Sequence, residues 1–317
     1  MASVDMTSPP ARAASPSGRR RRFGDETLPA LGMTAPALVG LILFLAIPFV
    51  TAIYLSFTNR RLGSPLPTEL VGLLNYERIF GSEEFVRALI NNFVFALVVV
   101  PVQTAIALGL ALLLNRELRG MGFYRTVFFM PVVFSMALVS VVWILIYAPG
   151  PDGMLNSFLH TITFGTWDVN TDFLRSSTWA LPAIILMSMW QGAGFQMVII
   201  LAGLQGIPES LYEAAAIDKA SPWKQFLYVT LPGLRNTLIF VVLVTTIFAF
   251  RLFDQVWIMT AGGPENATTT VMFEAVTAAF RRQQVARGAA MTVVFFVVVL
   301  GITLLQRRVL REEREIA

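Results

Sequence analysis

The chain has 317 residues and a formal net charge of +4, with 56% hydrophobic and 14% charged residues. Soluble globular domains are less apolar and more charged, so the composition excludes an ordinary soluble domain and favours a membrane protein. The chain has no cysteine, which excludes disulfides, zinc–thiolate sites and cysteine nucleophiles.

The N-terminal segment, residues 1–28, is rich in Ala, Pro, Ser and Arg, which predicts a disordered tail. Its run Arg19–Arg22 is similar to nucleic-acid patches and to twin-arginine signals. Because a hydrophobic segment follows shortly after, we interpret the run as an anchor to anionic membrane lipid and expect no nucleic-acid partner. Residues 311–317 are predicted to form a second tail.

Six uncharged hydrophobic runs lie between the tails, and crossing a bilayer takes about 20 apolar residues. The fifth run reaches that length only if its helix continues through Arg251 and Asp254 to about Thr260. We therefore predict an all-α integral membrane protein with six transmembrane helices in a domain covering residues 29–310. The runs are 33–59, 88–115, 126–151, 176–208, 236–250 and 288–306.

Lys and Arg are distributed unevenly along this domain. Of the 24 basic residues, 15 lie in the N-terminus, the loops after the second and fourth spans, and the C-terminus. Because basic residues accumulate on the cytoplasmic side, we expect a multi-pass protein with both termini in the cytoplasm. Arg60 and Arg61, directly after the first span, run against this bias.

The loop between the fourth and fifth spans, residues 207–232, carries helix signals at both ends. Pro208 fits the first position of a helix, where its missing N–H costs no hydrogen bond. Ser221-Pro222 predicts the start of a second helix, with serine as the N-cap. The first helix would have a narrow apolar face at helical spacing. This face consists of Leu211, Ala214, Ala215 and Ile217.

Three parts of this loop, Glu213-Ala214-Ala215, Asp218 and Leu231-Pro232, resemble the EAA loop of the permease subunits of bacterial ABC importers. In that family the loop is a coupling helix that rests in a cleft of the ATPase subunit. An ordinary amphipathic hairpin at the membrane interface is the alternative. The resemblance implies ATPase-coupling roles for Glu213, Ala214, Ala215, Asp218, Lys219, Ala220, Leu231 and Pro232. Residues 207–232 are called the coupling segment below.

Lys219 stands where this family usually has glycine. A left-handed bend between the two helices costs a non-glycine residue about 1 kcal/mol. We therefore expect either that the bend is shaped differently here or that Lys219 makes its own contact with the ATPase.

Two further parts of the chain resemble the carbohydrate-uptake type of these permeases, the group similar to the maltose transporter. Val71–Tyr76, preceded by Ser56–Thr58, resembles their first external segment. Phe253–Thr260, followed by Gly262-Gly263-Pro264 and Thr268–Thr270, resembles the end of their penultimate core span. The resemblance implies the six-span type I importer fold and a location in the bacterial inner membrane.

The resemblance also implies a set of residues that contact substrate inside the membrane. Arg251 and Asp254 either belong to this polar path or form an ion pair at i, i+3 near the outer interface, and we favour the ion pair. For the other members, helix–helix packing is the alternative, and Gln191 and Phe195 are the strongest candidates for contact. These other members are Ser188, Gln191, Gly192, Phe195, Thr245, Phe248 and Ala249.

The sequence offers no ATP site, because Lys219 and Lys224 are its only lysines and neither follows a glycine as a Walker A lysine does. We therefore expect no enzyme activity, no catalytic residue, no metal site and no cofactor on this chain, with ATP and Mg²⁺ bound by a separate ATPase. His160 is interpreted as a solvated loop residue.

The resemblance implies a second permease, two ATPase subunits, an extracytoplasmic solute-binding protein and a carbohydrate substrate as partners. Two alternatives stay open. The same permease role with glycerol-3-phosphate or a glycerophosphodiester as cargo would use Arg251. A self-sufficient secondary transporter would commonly show internal inverted repeats, which the sequence lacks.

Overall fold

The structure, a computed structural model, describes residues 27–116 and 119–310. Within these ranges the ordered elements are helices, and β-structure is confined to one isolated bridge between Thr58 and Leu70. The predicted all-α architecture is confirmed. The predicted tails lie outside the described residues, except that the first helix already begins at Thr27, two residues before the expected boundary.

Fifteen α-helices, numbered here in chain order, lie in the described part of the chain. Three π-helical turns, Ile42–Ala46, Phe226–Thr230 and Thr277–Arg281, extend or connect them. The helices are α1 Thr27–Leu41, α2 Ile47–Ser56, α3 Leu74–Phe80, α4 Glu83–Leu114, α5 Met121–Val133, α6 Met136–Ile146, α7 Met154–Ile162, α8 Ala180–Gln205, α9 Glu209–Ile217, α10 Pro222–Gln225, α11 Leu231–Gly233, α12 Arg235–Phe250, α13 Asp254–Met259, α14 Val271–Val276 and α15 Val285–Val309.

Five stretches of these helices are long and apolar enough to cross a membrane, and a bent pair gives up to six. The pair, α5 and α6, meets at 99°. The five stretches are Gly32–Ser56, Glu83–Leu114, Ala180–Gln205, Arg235–Met259 and Val285–Val309.

The third predicted span is not one continuous helix. Pro131 removes a backbone donor from the last turn of α5, and Phe134 then adopts an extended conformation. Ser135 starts α6 as its N-cap, with its side chain accepting a hydrogen bond from the Leu138 N–H. A local cap therefore restarts the helix in a new direction.

The fifth predicted span is also interrupted. α12 ends at Phe250, residues 251–253 are not helical, and α13 begins at Asp254. The expected continuity through Arg251 is wrong, whereas the expected end near Thr260 is confirmed, because Thr260 is the C-cap of α13.

The chain divides into two units, residues 1–51 and 52–317. The described part of the first unit consists of α1, the first π-helical turn and the start of α2, and from Gly32 onward it belongs to one apolar stretch of mean hydropathy 2.6. This stretch is the first predicted span.

The second unit has two hydrophobic clusters at opposite ends of its long helices. At one end, here called the near end, Ala111 and Leu114 of α4 pack with Leu204 of α8 and with Leu234. At the other, the far end, Phe85 of α4 belongs to a larger buried cluster that includes residues of α8, α12 and α15, among them Phe250. α4 and α8 thus run side by side between the two ends, and the coupling segment leaves α8 at the near end.

Candidate functional site

A cavity of about 440 Å³ lies among α4, the α5–α6 bend, α8 and α12. All nine residues predicted to lie on the substrate path line this one cavity. They are Ser188, Gln191, Gly192, Phe195, Thr245, Phe248, Ala249, Arg251 and Asp254. The structure thus brings together residues that are up to 66 positions apart in sequence, from 188 to 254; whether they contact substrate stays a prediction.

Two hydroxyl groups of this set are already occupied by internal hydrogen bonds. Ser188 Oγ donates to the Ile184 carbonyl at 2.7 Å, and Thr245 Oγ1 donates to the Val241 carbonyl at 2.7 Å. Both side chains are buried. Their oxygens also accept bonds from glutamine amides, so Ser188 and Thr245 hold other side chains in place.

Three of the glutamines that line the cavity were not predicted from the sequence. Gln196 Nε2 donates to Thr245 Oγ1 at 2.6 Å, and Gln255 Nε2 donates to Ser188 Oγ at 3.4 Å. Gln103 of α4 is buried at the cavity wall. Each is an amide in or beside an apolar span, where polar groups are expensive, and that signal could have found them.

Gly192 makes room for Gln103. A Cβ at position 192 would lie 2.6 Å from Gln103 Nε2, closer than real Cβ contacts allow. The glycine therefore allows the Gln103 amide of α4 to pack directly against α8. Gln191, the neighbour of this glycine, is half-buried.

Phe195 and Phe248 supply an aromatic wall, and Phe248 is 55% exposed. The exposed ring faces share the cavity with amide groups. Cavities that bind polar ligands combine such apolar faces with a few oriented donors and acceptors.

Arg251 and Asp254 do not form the ion pair that we favoured. Neither residue has an ion pair with another described residue, and both are exposed and line the cavity. The physical reason is the break after α12, because spacing of three brings side chains together only on a continuous helix. Asp254 instead occupies the first turn of α13, where a negative charge is favourable.

The segment after α13 is fastened to α4 by two buried asparagines. Asn91 Nδ2 donates to the carbonyls of Asn266 and Thr269, at 3.0 and 2.9 Å. Asn92 Oδ1 accepts from the Val271 N–H at 2.9 Å. These asparagines were missed by the sequence reasoning, although they lie together in an apolar run.

The segment after α13 also contains Gly262-Gly263-Pro264 and Thr268–Thr270. Gly262 has φ +85°, a conformation that favours glycine. Thr268 Oγ1 lies 2.7 Å from Thr260 Oγ1 and donates to the Gly263 carbonyl at 2.9 Å. The residues that carried the resemblance therefore build one closed loop at the far end.

The motif formed by Ser56–Thr58 and Val71–Tyr76 is built in a similar way. Asn75 Nδ2 donates to the Ser56 and Thr58 carbonyls at 2.8 and 2.7 Å, and the Val71 N–H donates to the Phe57 carbonyl at 2.8 Å. The two parts of this motif, separated in sequence, thus fold against each other.

The coupling segment has two helices with a bend, as predicted. Pro208 is the N-cap of α9 and not its first helical residue, a shift of one position. Ser221 is the N-cap of α10, with Pro222 in its first turn, as predicted.

The bend between these helices is left-handed at Lys219, which has φ +55°. The Ala220 N–H donates to the Ala215 carbonyl at 2.9 Å, and the Lys219 N–H donates to the Ala216 carbonyl at 3.0 Å. This pair of bonds is the Schellman C-cap, which glycine usually closes. The bend therefore keeps the shape that glycine favours, with lysine in its place.

The outer surface of the coupling segment is apolar as well as charged. Ile217 is 81% exposed and Trp223 is 66% exposed, while Glu213, Asp218 and Lys219 are exposed beside them. Tyr212 and Thr230 share a hydrogen bond of 3.0 Å that ties α9 to the turn leading into α12. Ala214 and Pro232 are exposed, whereas Ala215, Ala220 and Leu231 are half-buried.

Metal-binding groups are not clustered in the described part of the chain, where no three His, Asp or Glu side chains come together. His160 is exposed on α7, and its Nδ1 lies 2.8 Å from the Trp167 carbonyl oxygen.

Comparison with known proteins gives one family. Residues 71–314 match the model of the binding-protein-dependent transport system inner membrane component. The trehalose/maltose transport system permease protein MalF of Thermococcus litoralis is 32% identical over 283 residues, covering 89% of this chain and 94% of that protein.

The sn-glycerol-3-phosphate transport system permease protein UgpA of Yersinia enterocolitica is 31% identical, over 77% of this chain and 81% of that protein. A solved bacterial ABC transporter involved in the import of the acidic polysaccharide alginate has a chain that superposes with a TM-score of 0.78 at 21% identity. That match covers 92% of this chain and 97% of the other, and it supports the same fold.

Proposed function

Because this chain belongs to the family of binding-protein-dependent transport system inner membrane components, we propose that it is the transmembrane permease subunit of an ATP-driven importer for carbohydrate. The observation that carries this proposal is the coupling segment. It presents Ile217 and Trp223 to solvent beside Glu213 on a rigid, capped pair of helices. Exposed apolar groups rimmed by charges are typical of a protein interface.

The partner on this surface is an ATPase subunit that binds ATP and Mg²⁺, since this chain offers no Walker lysine. The coupling segment then lies in the cytoplasm with both chain termini. A second permease completes the path, two ATPase subunits serve the pair, and an extracytoplasmic solute-binding protein delivers cargo.

The cavity supports a carbohydrate as cargo. Sugars are bound by aromatic faces together with a few hydrogen-bonding groups, and Phe195, Phe248 and Gln191 provide both kinds of contact. The relative from Thermococcus litoralis is described as a trehalose/maltose permease, which agrees with this class of cargo.

A glycerol phosphoester is the second candidate cargo, and Arg251 is the observation that favours it. This guanidinium lines the cavity without an ion-pair partner among the described residues. The relative from Yersinia enterocolitica carries a glycerol-3-phosphate name. The third possibility, a self-sufficient secondary transporter, does not fit the family.

Uptake by the complete complex tests both cargoes. The chain is co-expressed with the permease, ATPase and binding protein encoded beside it, and the complex is reconstituted in proteoliposomes. Neutral oligosaccharides and glycerophosphodiesters are then compared as competitors of substrate uptake. We expect ATP-dependent uptake that neutral sugars inhibit and that an Arg251→Gln variant retains. Inhibition by phosphoesters alone, lost in Arg251→Gln, would establish the second cargo, and uptake without ATP would refute the importer.

A further inference from the structure

A second, strongly basic pocket lies at the far end, away from the cavity. Its volume is about 170 Å³, and four arginines line it together with Asn59 and Gln284. The arginines are Arg60, Arg61, Arg78 and Arg287. They come from three separate parts of the chain: the loop after the first span, α3 and the first turns of α15.

None of the four arginines forms an ion pair with a described carboxylate, although the charge of Arg287 interacts with that of Glu84 at the start of α4. The ion pairs among the described residues are Arg175 with Asp172 and Arg282 with Glu274. Arg287 Nε is buried and has no hydrogen-bond partner. A buried donor without a partner destabilises the folded protein unless a ligand supplies the acceptor.

The backbone holds the pocket in shape without a ligand. The Ala286 N–H donates to the Arg60 carbonyl at 3.0 Å, and the Leu62 N–H donates to the Gln283 carbonyl at 2.9 Å. The loop after the first span is thus fixed to the start of α15, a helix of 25 residues. The positive end of that helix points into the same region as the arginines.

The four arginines also lie where basic residues are least expected. With the coupling segment in the cytoplasm, as proposed above, the far end lies on the other side of the membrane, and Arg60, Arg61, Arg78 and Arg287 oppose the usual accumulation of basic residues on the cytoplasmic side. Three of these arginines are exposed and Arg287 is half-buried, so the pocket presents positive charge that an anion from solution can reach.

We propose that this pocket binds a phosphate-bearing anion. Guanidinium groups form paired, charge-assisted hydrogen bonds to phosphate oxygens, and several converge here on a small volume. The ends of membrane spans border the lipid headgroups. The phosphate therefore comes either from a phospholipid headgroup or from a free phosphate in the surrounding solution, and the chemistry of the pocket is the same for both.

Binding to the purified full-length chain in detergent tests the proposal. The lipid probe is dioleoyl phosphatidylglycerol, compared with dioleoyl phosphatidylcholine, which has no net charge, and its binding is measured by native mass spectrometry. The soluble probe is inorganic phosphate, and its binding is measured by calorimetry. The test variants are Arg61→Gln with Arg78→Gln, both exposed, and separately Arg287→Gln. The matched control is Arg175→Gln, whose side chain is 89% exposed and lies outside the pocket.

We expect the probe to bind about tenfold more weakly to each test variant, since each loses charged hydrogen bonds, and equally well to the control. Preference for phosphatidylglycerol identifies the lipid as the source, and binding of inorganic phosphate identifies the soluble anion. Equal binding by the parent and the exposed double variant, or binding of neither probe by the parent, would overturn the proposal.

Discussion

Lys219 holds a backbone conformation that is rare for a residue with a side chain. Its φ of +55° and the two capping hydrogen bonds around it place it at the position that glycine occupies in a Schellman cap. Of the two expectations for this residue, a differently shaped bend is wrong. A contact between the exposed lysine and the ATPase stays a prediction.

Replacement of Lys219 separates conformation from charge. Lys219→Gly should relieve strain of about 1 kcal/mol and leave uptake unchanged or improved, because the bend no longer places a Cβ in the left-handed region. The measurements are ATP-dependent uptake and the thermal midpoint of the purified complex. Lys219→Arg serves as control, since it keeps both charge and strain. Loss of uptake in the glycine variant alone would show that the charge matters more than the bend.

Gly192 gives a second prediction at this scale, which concerns the cavity wall. Gly192→Ala should push the Gln103 amide from its seat, because the new Cβ would lie 2.6 Å from Gln103 Nε2. We expect a higher KM for uptake, by about tenfold if one hydrogen bond to the cargo is lost. Gly109→Ala on α4 is the matched control, since nothing lies within 4 Å of a Cβ there.

The double variant Gly192→Ala with Gln103→Ala completes this test. If the clash is the cause, removal of the amide should make the effect of Gly192→Ala much smaller than in the parent background. Independent, additive effects would contradict the contact.

At the scale of elements, hydropathy predicted where apolar helices lie but not where they break. The fourth span shows the success, because an uncharged run over 176–208 becomes α8 Ala180–Gln205. The break between α5 and α6 depends on a local interaction, because the side chain of Ser135 caps the start of α6. Hydropathy alone gives no sign of this break, although Pro131 and Ser135 are residue types that end and start helices.

Part of the lining of the cavity could also be predicted from the sequence. Its lining from α8 and α12 was identified through resemblance at fixed spacing, whereas Gln103 and Gln255 enter from other elements. As amides in or beside apolar spans, both could be suspected of facing the interior, but which element each contacts depends on tertiary packing that the sequence does not show. The pairing of Arg251 with Asp254 failed for the same reason, because spacing alone cannot show that the helix between them is broken.

The far-end loop provides a prediction about these packed elements. Asn92 is fully buried, donates to the Phe250 carbonyl at 3.3 Å and accepts from the Val271 N–H. Asn92→Ala should destabilise the protein by about 1–3 kcal/mol, because it leaves these backbone groups buried without a partner. The lowered thermal midpoint would be measured in detergent. Asn170→Ala, at an exposed loop position, should leave the midpoint unchanged, and equal shifts would contradict the role of Asn92.

At the scale of the whole molecule, two helices connect the coupling segment with the cavity. α8 enters the segment at the near end and α12 leaves it, and both carry cavity-lining residues along their length. Close packing joins their ends, since a Cβ at Gly203 would lie 2.6 Å from Thr237 Oγ1. A force applied to α9 therefore reaches the cavity through rigid, packed helices, which suits a path that ATP binding opens and closes.

Glu213→Lys tests this connection in the assembled importer. Glu213 is exposed on α9 and makes no ion pair with a described residue, so the change should leave the fold and the membrane insertion of the chain intact. A reversed charge at the interface with the ATPase costs several kcal/mol where like charges meet. We expect ATP-dependent uptake to fall by about tenfold or more, and less ATPase to co-purify with the chain.

Glu209→Lys is the matched control, because Glu209 is exposed one turn earlier on the same helix and lies outside the Glu213-Ala214-Ala215 motif. It makes the same change of net charge and should keep most of the uptake. If both variants lose uptake equally, the effect belongs to the net charge of the segment. If Glu213→Lys transports normally and retains its ATPase, α9 is not the contact that couples ATP hydrolysis to the cavity.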